Sequence, residues 1–204
     1  MGNFPTIIID FETTGLSPNM GDRPIEVGAV LLQDHKIIDR FQSLMNPGMK
    51  ISTFIEEYTG ISNKMIATAP PCSDVISKLA SFIKQYPLVA HNASFDARFL
   101  DAELSRIKQS RKNECACSML SARRLYQDAP NHRLETLVRY KQLKTDGTYH
   151  RALADAEMTA HLWLRMIADI KADFGVKQVT FQMMQKLGKV SKKKTAEFLK
   201  NSAI

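Results

Sequence analysis

Residues 6–10, Thr-Ile-Ile-Ile-Asp, form an unbroken apolar run that ends on an acid. As a strand, such a run has no polar face, so helices must cover both sides of the sheet that contains it. The rest of the chain supplies matching pieces. "PIEVGAVLLQ" reads as a second strand, with Ile25, Val27, Ala29 and Leu31 on one side. "KIIDRFQSLMN" reads as a third, joined through Gln33-Asp34-His35, which makes that pair antiparallel. "PLVAHN" and "ECACSM" read as short fourth and fifth strands. Helical spacing runs through "STFIEEYTG", where Ser52 is a possible cap, "SDVISKLASFIKQY" and "SFDARFLDAELSRI", and then through 119–126, 133–141 and 151–169. Strands alternating with helices predict an α/β fold, a sheet covered by helices.

The composition, 44% hydrophobic and 24% charged over 204 residues, suits one substantial soluble domain with a small appendage. No apolar run approaches the roughly 18 residues of a membrane span, so an intracellular, cytoplasmic protein without membrane contact is expected. Three cysteines are too few and too odd a set for a disulfide framework, and Cys115-x-Cys117 lacks the second pair that a structural zinc site needs. The net charge of +7 is concentrated at one end. Residues 171–204 hold eight lysines against Asp173 and Glu197, which leaves only +1 for residues 1–170. This basic stretch, "KLGKVSKKKTAEFLK" at its centre, reads as short helices appended to a 1–170 domain. It suits attraction of a polyanion, and its removal is expected to weaken nucleic-acid binding while leaving turnover intact.

Three acidic sites carry the chemistry. In "IIIDFETTGL", Asp10 and Glu12 are two apart on a strand and share a face, a costly arrangement that a hard divalent cation would relieve. In "VAHNASFDARFL", Asp96 falls in the first turn of a helix capped by Asn92 or Ser94, with His91 and Asn92 organising the corner by hydrogen bonds. In "HRALAD", Asp155 sits in the second turn of the last long helix and His150 just before it. Positions five apart on one helix diverge by about 140°, so the pair fits a ligand on the helix and a movable base on the loop rather than a shared helical face.

Taken together, "DFETTGL", "HNASFD" and "HRALADAEMT" resemble, in order and spacing, the three motifs of the DEDDh family of 3′→5′ exonucleases, whose relatives include the epsilon subunit of DNA polymerase III, exonuclease X and ribonuclease T. The resemblance covers roughly residues 5–168. It implies a ribonuclease H-like fold with a mixed five-stranded sheet and one antiparallel strand. It also implies that Asp10, Glu12, Asp96 and Asp155 bind two divalent cations, Mg²⁺ or Mn²⁺, with His150 as general base. The sister family places a tyrosine four residues before the last Asp; here that place is Arg151, so the histidine subclass is implied. "CACSML" departs from the family, which often has an Asp-Thr pair before the leucine.

By the same resemblance, Thr13 and Thr14 contact the terminal nucleotide, Leu16 wedges against its base, Phe95 lines the path and Asn92 lies nearby. The implied reaction hydrolyses phosphodiester bonds from the 3′ end of single-stranded DNA, releasing nucleoside 5′-monophosphates. Two alternatives stay open: an exoribonuclease trimming RNA, and an idle nucleic-acid-binding module. A polymerase partner and a homodimer both stay open as well.

Overall fold

The structure is a computed structural model that describes residues 5–145 and 149–202. Five strands form one sheet: β1 (Thr6–Thr13), β2 (Pro24–Gln33), β3 (Lys36–Leu44), β4 (Leu88–Ala90) and β5 (Cys115–Cys117), in the order β3-β2-β1-β4-β5. β2 pairs antiparallel with both β1 and β3, whereas β1–β4 and β4–β5 are parallel, so β2 is the one strand that runs against the rest.

Nine helices accompany the sheet among the described residues: α1 (Thr53–Thr59), α2 (Asn63–Ala67), α3 (Cys72–Ile83), α4 (Ala93–Arg106), α5 (Ser118–Leu125), α6 (Leu134–Tyr140), α7 (Ala152–Phe174), α8 (Phe181–Leu187) and α9 (Thr195–Asn201). The Ser52 side chain caps α1 as expected, accepting a bond from the Ile55 amide. The short α2, with Ser62 as its cap, is not legible from periodicity because five residues complete barely one turn. α7 runs five residues past its expected end and stops at Gly175, whose φ of 69° is the left-handed conformation glycine adopts without cost.

The doubly covered β1 divides the interior by residue parity. Ile7, Ile9 and Phe11 pack with Val75, Leu79 and Leu100 of α3 and α4, while Ile8 packs on the opposite face with Trp163, Met166 and Ile170 of α7. Asp10 and Glu12 share the parity of Ile8 and therefore stand on the α7 side. All three cysteines are free thiols. No helix among the described residues is long and apolar enough to cross a membrane.

The tail is helical, as expected, but it is not an appendage. A boundary at 170/171 falls inside α7. Phe181, Met184, Leu187 and Leu199 are all 1% exposed or less and belong to the cluster that contains Ile8 and Trp163. The lysines face outward and the apolar side chains between them complete the core. Burial of each large apolar side chain contributes about 1.5–3 kcal/mol, so these four alone match the roughly 5–15 kcal/mol by which a domain is stable. Truncation after residue 170 is therefore expected to give a protein without a cooperative melting transition, rather than the intact nuclease the sequence suggested. Calorimetry of the truncated chain checks this, and a transition near that of the full chain would contradict it.

Candidate active site

β1 delivers two carboxylates to one cleft. Its register with β2 sets Asp10 opposite Gly28 and Glu12 opposite Glu26, and the ladder slips between Glu12 and Thr13. On the other side of the strand, the buried Asp96 carboxylate from the first turn of α4 accepts a bond from the Phe11 amide at 3.2 Å. This places an acid from a helix 85 residues away beside the strand that carries the first two.

The fourth acid depends on how closely α7 approaches the sheet. A Cβ on Gly28 would lie 2.1 Å from the Leu153 amide nitrogen and 2.4 Å from the Ala152 carbonyl oxygen, so only glycine admits the first turn of α7. Beside it, Glu26 is fully buried and gathers the start of that helix. Its carboxylate accepts Arg151 Nη2 at 2.8 Å, Arg151 Nε at 3.1 Å, the Ala152 amide at 3.1 Å and the Gln42 side chain at 3.0 Å. Asp155 lies in the first turn of α7 rather than the expected second, because the helix begins at Ala152. Its Oδ2 accepts the His150 amide at 3.0 Å, which pins the residue before the helix to the acid within it. His150 has a φ of 60°, and its ring lies 4.0 Å from the Tyr58 ring, centroid to centroid. Ligand atoms of Glu12, His150 and Asp155 all lie within 4.8 Å of one another. The expected division between a helix acid and a loop histidine is present, and the loop histidine is held by specific contacts.

At the α4 corner the expectation of organising hydrogen bonds holds for His91 but not for Asn92. His91 bonds Ser118 Oγ and the His132 carbonyl, each at 2.9 Å. Asn92 caps α4 without a side-chain capping bond; its contribution is a left-handed backbone, φ 77°, which asparagine tolerates better than most residues. Thr13 and Thr14 line the cleft, but their hydroxyls are engaged within the loop. Thr13 donates to the Gly15 carbonyl at 2.6 Å, and Thr14 donates to Asp22 and accepts from the Arg23 amide. This bracing leaves Leu16 standing out of the fold, 79% exposed. Phe95 lines the cleft with its ring 4.9 Å from that of Phe99. The cleft has a volume of about 750 Å³, and all five chemical residues open into it.

Electrostatically the site is overloaded with negative charge. Burial, followed by repulsion from Asp96, Asp155, Glu12 and Glu26, holds the Asp10 carboxyl well above the usual range. Burial and the neighbouring acids push Glu12 up to about 8; burial takes Asp96 to about 7 and Asp155 to about 6, against the pull of the amides bonded to them. The nearby guanidinium of Arg151 is already engaged with Glu26. Clustered hard oxygen donors with no cation of their own are the donor set that divalent ions prefer, so Asp10, Glu12, Asp96 and Asp155 fit a metal site.

An exonuclease family model, RNase_T, matches residues 7–163. The chain belongs to the RNase_T exonuclease family. It is 37% identical over 174 residues to a DNA polymerase III PolC-type of Caldanaerobacter subterraneus, and 39% identical over 165 residues to that of Bacillus subtilis. These matches cover 85% and 80% of the chain but only 12% and 11% of the polymerases. Among solved structures, exonuclease X in complex with 5′ overhanging duplex DNA aligns with a TM-score of 0.71 and 29% identity over 90% of this chain and 99% of that one. The nuclease domain of 3′hExo, a DEDDh family member bound to rAMP, shares the fold at the same TM-score, 23% identity, and coverage of 82% and 93%. This RNase_T exonuclease is thus a 3′→5′ exonuclease on a ribonuclease H-like fold, which it shares with a DEDDh family member, and the family implies divalent metal ions and a nucleic-acid substrate.

Sequence reasoning missed Glu26 and Arg151 as site residues, although Glu26 in the middle of an apolar strand was the available signal. Two expectations follow. Acids with raised pKa bind protons more tightly in the folded chain, so the metal-free exonuclease loses stability as pH rises towards the folded values. Buried His91, lowered to about 4, works in the opposite sense but only below its unfolded value near 6.5. Between pH 6.5 and about 8 the acids act alone, and the metal-free melting temperature should fall there and level off when Mg²⁺ is added. A metal-free curve that is flat or rising over that window would contradict the assignment. Second, Glu26→Gln frees the Arg151 guanidinium to compete with cations for Glu12. The Mg²⁺ concentration giving half-maximal nuclease activity should rise by about tenfold, equivalent to about 1.4 kcal/mol. An unchanged half-maximal concentration would leave Glu26 a purely structural role.

Proposed function

We propose that this exonuclease removes nucleotides from the 3′ end of single-stranded DNA, with His150 as general base. The observation that carries this reading is the convergence of Glu12, Asp155 and His150, from a strand, a helix and a loop, on one small volume at the floor of an open cleft. We infer that Asp10, Glu12, Asp96 and Asp155 hold two divalent cations, Mg²⁺ or Mn²⁺, whose chemistry when bound is to neutralise the acids, acidify the attacking water and stabilise the departing 3′ oxygen. His150 accepts the water proton on a ring nitrogen. The Tyr58 ring and the His150 amide bond to Asp155 fix the direction from which the imidazole reaches it. Leu16 wedges against the terminal base and Phe95 lines its path, while Thr13 and Thr14 shape the loop that presents Leu16 and Asn92 sets the opposite corner. Exposed aromatic rings suit unpaired bases: Phe54 and Tyr58 are 68% and 51% exposed and stacked on one another at the cleft. The PolC-type matches support a polymerase, rather than a second copy of the chain, as the larger partner.

Matched DNA and RNA oligonucleotides, labelled at either end, test the reading. With Mg²⁺, 3′-labelled DNA should release its label as a mononucleotide from the first turnover, 5′-labelled DNA should shorten stepwise, and EDTA should stop both. Faster loss of RNA would reassign the substrate, and equal loss in EDTA would remove metal from the mechanism. His150→Ala should lower kcat by about 10²–10⁴ with little change in oligonucleotide affinity.

A further inference from the structure

The lysines at 192–194 are all exposed, and the core packing of α8 and α9 fixes where they stand. The Arg124 side chain donates to the Val190 carbonyl, and Gln127 Nε2 donates to the Lys192 carbonyl at 3.3 Å, so this turn is docked against the end of α5. From there a chain of contacts leads back to the cleft. The His132 ring bonds the Tyr126 carbonyl at 3.0 Å, and the His132 carbonyl bonds the ring of His91, which lines the cleft. Exposed Arg123 and Arg133 flank this path, and neither they nor the three lysines are ion-paired to a described carboxylate. Arg123 and Lys192 both stand close enough to His132 to hold its imidazole below the ordinary value, after the effect of burial. Arg133 lies within electrostatic reach of Tyr58 at the cleft.

The geometry points to a basic track, from Arg133 at the cleft through Arg123 to Lys192–Lys194, that binds the phosphodiester backbone of the strand whose 3′ end is being degraded. The inference rests on the nuclease reading above for its occupant. A row of unpaired cations leading out of an acidic cleft is complementary to a polyanion that enters the cleft by one end. Each phosphate neutralised on a single strand contributes about 0.7 to the slope of log affinity against log salt. The track therefore shows itself through strand length, because only a long strand spans both the cleft and the lysines.

The test is the salt dependence of binding for fluorescent oligothymidylates of about 5 and about 25 nucleotides, measured in Ca²⁺ with the full-length chain. The triple variant Lys192→Ala, Lys193→Ala, Lys194→Ala should reduce the slope by about 2 for the long strand and leave the short one unchanged. Arg123→Ala should reduce it by about 0.7 for the long strand. A control removing the exposed Lys64 and Lys78, on α2 and α3, should change neither. Equal losses on both lengths would reduce the track to general attraction, and unchanged slopes on both would assign the lysines to another partner, such as an acidic protein; either result overturns the proposal. Digestion of a labelled strand by the same preparations separates the two readings: a variant that degrades DNA normally but shows no length-dependent loss sinks the track alone.

Discussion

Everything in this fold is arranged around mutual repulsion at the end of β1. Asp10 and Glu12 project from one face of a strand, Asp96 reaches it from α4 and Asp155 from α7, and a fifth carboxylate, Glu26, stands directly across the ladder from Glu12. Left to itself such a cluster would swell or protonate: burial raises all four outer acids, and repulsion from neighbouring carboxylates adds to it at Asp10, Glu12 and Asp155. Covering helices on both faces, α3 and α4 on one and α7 on the other, supply the rigidity that keeps the acids together.

Within that cluster one acid is treated differently. Glu26 receives a guanidinium, a backbone amide and a side-chain amide, so its charge is matched inside the protein and serves to anchor α7. None of the outer acids has a salt bridge to a cation among the described residues. Structural and chemical carboxylates are thus separated by one interstrand distance, and Arg151 enforces the separation by being committed to Glu26. His150 precedes that arginine, so the anchor of the helix also sets where the loop histidine begins.

Much of this was legible in the sequence, for identifiable reasons. A period of two placed Asp10 and Glu12 together, while the helix that covers their face, α7, emerged only from the packing of Ile8 against Trp163 and Met166. The resemblance of three motifs to those of the DEDDh family brought Asp96, His150 and Asp155 into the same set. Glu26, an acid inside an apolar strand, left a signal that went unused, because reading "PIEVGAVLLQ" for its apolar side selects Ile25, Val27, Ala29 and Leu31 and passes over the face bearing Glu26 and Gly28. The value of those two residues appears only through contacts with α7, more than 120 positions away. The C-terminal segment was misread for a related reason. Lysines dominate its composition, while the four side chains that complete the core, Phe181, Met184, Leu187 and Leu199, are sparse and lie on two helices of seven residues each. Asn92 was read for its side chain, although its contribution lies in its backbone.

The central claim is that the most strongly shifted of the outer acids, Asp10 and Glu12, hold protons until divalent cations displace them. Calorimetric titration of the metal-free chain with Mn²⁺ at pH 7, repeated in two buffers of different ionisation enthalpy, measures this directly. About two ions should bind per chain, with a net release of protons from the acids whose pKa lies at or above the working pH. Binding that releases no protons, or no binding at all, would contradict the account.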